Sequence, residues 1–325
     1  MDGYRKSNKN AVIYFLAGKM VRILIGLSLG LLLIIRHLDA AQDKPVVFTK
    51  DLSFEDLPAG IEKRLPTGAS NAEVAAILLK QPAIVLDGAM LVITPPPIGS
   101  NRTLATRSIE LRNGARIVTN GVNFELDTLH ISSDRGAILS FSDQRKARNE
   151  TPNGTSGRSG QSGGTLILNG SLNGNEVLTV SLMGQDGENG GTGFPGAAGA
   201  PGPRGEDGAD HLVDCAHGAG NGGNGARGGA GGTGADGGAG GNGGRLILRG
   251  RLQSQRLQIE FTAPGGKGGS GGAGGPGGNG GPGGQGGSGT TFCRGGSPGL
   301  PGQIGPTGAA GANGINGHDG SISAD

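Results

Sequence analysis

The chain has 325 residues, of which 72 are Gly and 17 Pro, with 8 Phe, 2 Tyr and no Trp. That composition excludes an ordinary enzyme and any large aromatic core. Its 28 basic and 26 acidic residues leave a formal charge of +2 and are scattered rather than striped, which argues against nucleic acid as a partner.

Residues 1–41 read as a signal peptide, with an uncleaved anchor as the alternative. Basic Arg5, Lys6, Lys9, Lys19 and Arg22 precede an apolar run, Ile23–Ile35, too short for an ordinary bilayer span, and the small residues Ala40 and Ala41 follow. The body is therefore expected to be secreted, cell-surface or periplasmic, touching membrane only through this segment, with its cysteines in an oxidising environment.

Residues 42–100 read as an N-terminal cap region. Ser70-Asn71-Ala72-Glu73 is a capping box that opens a short helix over 72–80, ended by Pro82. Ala83–Thr94 reads as a strand pair turning at Asp87-Gly88 and closed by Pro95-Pro96-Pro97. From 101 to 183 short period-two apolar runs, such as Ile109/Leu111 and Leu129/Ile131, alternate with turns at Asn113-Gly114 and Asn120-Gly121. They predict a β-solenoid-like or β-helix-like base, which includes a short Gly insertion at 154–163.

An internal repeat organises the rest. Gly163–Leu172 matches Gly243–Leu252 at an offset of 80, and a one-residue deletion aligns Leu178/Val180/Leu182 with Leu257/Ile259/Phe261. After each block glycine recurs at every third residue, in four runs in all, 184–210, 222–245, 265–291 and 296–322, of nine, eight, nine and nine triplets. The domains expected are a first Gly-x-y hairpin (184–245), a returning strand pair (246–264) and a second hairpin (265–322). Gly-Gly-x strips side chains from two faces of a three-residue turn, so runs two and three are the expected inner arms (222–245 and 265–288), with runs one and four outside them.

The fold class predicted is thus an all-β base carrying a four-arm bundle of polyglycine-II or polyproline-II helices. The triplet period over 184–322 resembles the bacterial collagen-like (collagen triple-helix repeat) surface proteins. As arms, it also resembles the polyglycine-II bundles of phage tail-fibre tip adhesins and of snow-flea antifreeze proteins. The adhesin resemblance implies receptor contact through the non-glycine bundle tips, which here hold His211, Asp214, His217, Phe292 and Arg294.

Cys215 and Cys293 lie at corresponding tips, 78 residues apart, and are expected to form a disulfide, with a free reactive thiol as the rival. His211, Asp214, Cys215 and His217 have zinc or copper ligand types, but read as polar groups solvating a hairpin, so no metal or cofactor is expected. Asp127, His130, Asp134 and Arg135 are the acid/base candidates of a carbohydrate-active β-helix enzyme, and read instead as outward polar positions. The function expected is a non-enzymatic, exported structural or adhesive protein, monomeric rather than trimeric. Its partner would be a surface receptor, matrix or polysaccharide. The rivals are ice binding by a small-residue face (Ala230, Thr233, Ala239, Ser270, Ala273), a collagen-like trimeric stalk, and the enzyme.

Overall fold

The computed structural model describes residues 44–58, 61, 66, 69–95, 102–142 and 151–325. The expected signal peptide or anchor lies outside these residues, and no helix among them is long and apolar enough to cross a membrane.

In chain order the elements are β1 (Val46–Phe48), β2 (Leu52–Ser53), α1 (Asn71–Lys80), β3 (Ile84–Asp87), β4 (Met90–Val92), β5 (Arg102–Arg112), β6 (Arg116–Val118), β7 (Phe124–Ser133) and β8 (Ala137–Leu139). They continue with β9 (Thr165–Gly170), β10 (Leu178–Ser181), β11 (Ala209–Asp210), β12 (Cys215–His217), β13 (Arg245–Gly250), β14 (Ile259–Thr262) and β15 (Ser321–Ala324). Strands β1-β3-β5-β7-β9-β13-β15 form a seven-stranded sheet, and β14-β10-β8-β6-β4-β2 a six-stranded one. Every pairing in both is parallel. Setting aside the small β11–β12 hairpin, each strand lies in the opposite sheet from its predecessor.

Alternation of apolar residues explains the pairing of the sheets. Leu86, Leu111 and Leu126 from one and Leu91, Ile117 and Val180 from the other are fully buried in a single cluster. Each such side chain stabilises the fold by about 1.5–3 kcal/mol relative to exposure. The corners between sheets are the Asx-Gly pairs. Gly88, Asn113, Gly114, Asn120 and Gly121 all have positive φ, and the Asn113 amide donates to Asp87 Oδ1 at 2.5 Å, stacking one corner on the next. In a hairpin such a pair folds the chain back within one sheet. Here it carries the chain to the other sheet, so Ala83–Thr94 holds two strands, β3 and β4, that are not partners.

The Ser70–Glu73 capping box of α1 is formed: Ser70 N–H donates to Glu73 Oε2 at 2.8 Å and Glu73 N–H to Ser70 Oγ at 3.4 Å. The helix packs on β5 and β7, and Thr106 Oγ1 donates to Pro82 O at 2.7 Å just beyond its end.

All three Gly-rich excursions leave after a strand of the six-stranded sheet and return into a strand of the seven-stranded one: after β8, β10 and β14. They are therefore launched in register above one another. Run one donates from every triplet glycine to run three in parallel, from Gly184 N–H to Pro264 O through Gly208 N–H to Ser288 O. Run two donates antiparallel to run one, from Gly220 to Glu206 through Gly244 to Leu182, and in parallel to run four, from Gly222 to Ser297 through Gly243 to His318. Run three donates to run two, and run four to run three. Among these four, runs two and three thus each bond to the other three, whereas runs one and four do not bond to each other.

The predicted fold class is corrected. In place of an all-β solenoid-like base there are two parallel sheets of seven and six strands with one helix packed on the larger, an α/β-like arrangement. Period-two runs identify strands but not how many sheets they are shared between. In place of a four-membered polyglycine-II bundle there are segments that are neither helix nor strand except at their ends, and a fifth segment belongs with them. Gly157, Gly160 and Gly163 donate to Asp236, Ala239 and Asn242 of run two, while Gln185, Glu188 and Gly191 of run one donate back to Gln161, Arg158 and Thr155.

Candidate functional site at the disulfide-linked tip

Where runs one and two meet, β11 and β12 pair antiparallel, Ala209 with His217 and Asp210 with Cys215. His211 N–H donates to Asp214 O at 2.8 Å, and His211 Nδ1 lies 3.2 Å from Asp214 Oδ1. The other tip, between runs three and four, is a tighter turn: Thr290 N–H donates to Cys293 O and Cys293 N–H to Thr290 Oγ1, each at 3.0 Å.

Two links join the tips. Cys215 and Cys293 form a disulfide with Cα atoms 5.0 Å apart, which removes the free-thiol reading and takes the Cys215 sulfur out of any thiolate metal site. Asp210 is the second link, accepting from the Thr290 hydroxyl at one carboxylate oxygen and from Phe292 N–H at 3.4 Å at the other. One triplet further in, Arg204 donates to Asp207 Oδ1 at 2.6 Å and Ser288 Oγ at 2.9 Å. Asp207 in turn accepts from Ser288 N–H, which holds its carboxyl below the usual carboxylate range.

His211, Asp214, His217, Phe292 and Arg294, the tip residues expected from sequence, are all exposed on this assembly. Reading by residue chemistry passed over Leu212 and Val213, which are 95% and 77% exposed at the hairpin's apex, with Phe292 at 51% on the adjacent turn. The signal was present: two adjacent apolar residues in the middle of a polar hairpin. An apolar centre with charged neighbours on a fixed support is the layout of a recognition patch.

Asp127, His130, Asp134 and Arg135 do not converge as an acid/base set. Asp127, 3% exposed, accepts from the Asn169 amide at 3.0 Å, and burial pushes its carboxyl up, opposed by that hydrogen bond and by Arg249. Asp134 and Arg135 pair at 3.5 Å in the turn after β7. His130 Nδ1 instead meets Ser171 Oγ at 3.1 Å. Among the described residues no three His, Cys, Asp or Glu groups are gathered to hold a metal ion.

No family model matches the chain, and none of the curated proteins compared with it matches. Among solved structures, one similar chain is the nine polyproline type II helical bundle springtail antifreeze protein from Granisotoma rainieri. It is 29% identical and spans 50% of this chain and 95% of its own, at a TM-score of 0.09, too low to carry an argument about shape.

Proposed function

We propose that this chain is an exported, non-catalytic structural or adhesive protein that holds its disulfide-linked tip against a surface partner: a receptor, a matrix component or a polysaccharide. The exposure of Leu212, Val213 and Phe292 on a tip fixed by both a disulfide and the Asp210 carboxylate carries this reading. Large apolar groups held out to solvent by a constrained backbone lose little entropy on binding. The disulfide supports export, since such bonds persist in oxidising compartments. A monomer is supported by the Gly-run hydrogen bonds, whose donors and acceptors are found within one chain. The collagen-like trimer would need them between chains. Of the small residues that suggested an ice-binding face, Ala230, Thr233 and Ala239 lie on run two and Ser270 and Ala273 on run three, divided between two runs.

The test is retention of the purified body on surfaces coated with extracellular-matrix proteins and with acidic and neutral polysaccharides. Retention on at least one surface should be lost in a Leu212→Asp, Phe292→Ala variant that keeps its disulfide. Retention nowhere, or retention indifferent to that variant, would remove the adhesive reading.

A further inference from the structure

A cleft of about 790 Å³ lies between α1 and the strands β7, β9 and β13, and the tip plays no part in it. This volume falls within the range of small-molecule sites. We infer that it binds a small amphipathic anion: a carboxylate or phosphate ester with an apolar body.

One wall is apolar, made by Val74, Ala75 and Leu78 of α1 with Leu129. The opposite side is polar, and its charges are not balanced. Arg249 is already engaged, 2.7 Å from Glu125 and 3.7 Å from Asp325. That leaves the exposed Arg251 on the lining with no ion pair among the described residues. His130 adds no second donor: the Ser171 hydroxyl spends its hydrogen on Leu129 O at 2.7 Å and so accepts from His130 Nδ1–H, which makes Nε2 an acceptor in the neutral ring. Ser171 and Arg251 follow Gly170 and Gly250, which are partners in the β9–β13 register, so these two residues lie just past the paired ends of the two strands, Arg251 opening a 3-10 turn.

The same two glycines keep the floor open. Both have positive φ, and a Cβ would meet Thr128 O at 2.5 Å from Gly170 and Asn169 Oδ1 at 3.0 Å from Gly250. Asn169, on the lining, donates its amide to Asp127 Oδ1 at 3.0 Å. The cleft therefore joins one unmatched guanidinium to an apolar wall, which selects a head with negative charge and a body without it.

Calorimetric titration of the full chain with hexanoate and with hexyl phosphate tests the inference and separates carboxylate from phosphate heads. At least one should bind saturably, and acetate, inorganic phosphate and 1-hexanol should bind about tenfold more weakly or not at all. Arg251→Gln should weaken the bound anion by about tenfold, the size of one charge-assisted hydrogen bond. Leu129→Asp should weaken it as well, with both variants melting as the parent does. Saturable binding by neither anion, acetate binding as tight as hexanoate, or affinity unchanged in both variants would overturn it.

Discussion

The glycines of the runs are not equivalent, and the difference can be read one residue at a time. At Gly272 in run three a Cβ would fall well inside van der Waals contact with the Gly191 carbonyl oxygen, backbone that cannot turn aside. At Gly229 in run two it would lie 3.2 Å from Ala197 N and 3.3 Å from its O, a contact relieved by a small shift. Run two shows the same logic along its length. Its second positions are Gly238 and Gly241 where Arg158 and Gln161 of the short excursion lie against them, but Ala226 and Ala235 stand in the same series beyond that cover. Gly272→Ala should therefore lower the melting temperature by several times as much as Gly229→Ala, an overpacking penalty of about 1–3 kcal/mol against a small one. Equal shifts in thermal unfolding would show that the contacts around the second-position glycines do not differ in this way.

Two aspartates should respond oppositely to pH. Burial raises the Asp127 carboxyl above its ordinary value of 3.8, whereas the Ser288 N–H lowers that of exposed Asp207. The folded chain binds the Asp127 proton more tightly than the unfolded chain, so stability falls as pH rises from the unfolded value through the folded one. The Asp207 contribution is present above its unfolded value and is lost as pH falls through its lowered one. Asp127→Asn, which keeps an acceptor for Asn169, should melt higher than the parent at about pH 7 and lose that advantage near pH 3. Asp207→Asn should melt lower at neutral pH and converge with the parent in acid. Melting curves across that range check both.

At the scale of elements, the runs are tied by a side-chain ladder that the triplet period conceals. Third-position Asp186, Asn189 and Asp207 of run one accept from N–H groups of Lys267, Ser270 and Ser288 in run three. Asn313, Asn316 and Asp319 of run four accept from Gly271, Gly268 and Gly265. Asn221, Asn224, Asp236 and Asn242 of run two accept from Ser297, Leu300, Ala312 and His318. A carbonyl one methylene from the backbone has the reach for a neighbouring main chain, which is why Asx recurs at these positions. Asn189→Ala should lose about 0.5–1.5 kcal/mol of stability, while Asn279→Ala, whose side chain takes no part in the ladder, should lose little. Denaturant midpoints of the two variants would settle which third positions matter.

The repeat also shows where sequence reading stops. β9 and β13 pair as Thr165 with Arg245 through Gly170 with Gly250, the register of the offset-80 match. The following strands pair as Leu178 with Ile259 and Val180 with Phe261, not Leu178 with Leu257. The second copy carries an extra residue rather than a deletion, absorbed by two 3-10 turns over Arg251–Gln253 and Arg256–Gln258, and Leu257 is left 100% exposed. Leu and Ile alternate alike in either alignment, so apolar pattern alone could not choose. The cysteine pair was legible because it sat at matched tips. The Asp210 link and the Asx ladder were not, since each depends on which main-chain N–H comes to face a carboxylate or amide, and no spacing rule encodes that.

For the whole molecule, the alternation of strands between two sheets determines everything above it. Each excursion is launched from the same side of the circuit, so successive runs arrive already stacked, and backbone hydrogen bonds every three residues lock them to neighbours on several sides. The disulfide closes this assembly at its far end across 78 residues, and chain-entropy reasoning assigns such a loop about 4–5 kcal/mol. Reduction should lower the melting temperature while leaving the far-ultraviolet strand signal in place, because the bond constrains runs rather than sheets; loss of that signal on reduction would tie the two together.

Hydrogen bonding every three residues makes the glycine runs a support rather than flexible linkers. Amide hydrogen exchange measures this directly. Second-position amides of runs two and three, such as Gly232, Gly238, Gly275 and Gly281, should exchange orders of magnitude more slowly than Leu212 and Val213 at the tip, and alongside those of β9 and β13. Exchange of these glycines as fast as the tip, with β9 and β13 still protected, would show that the runs are flexible linkers.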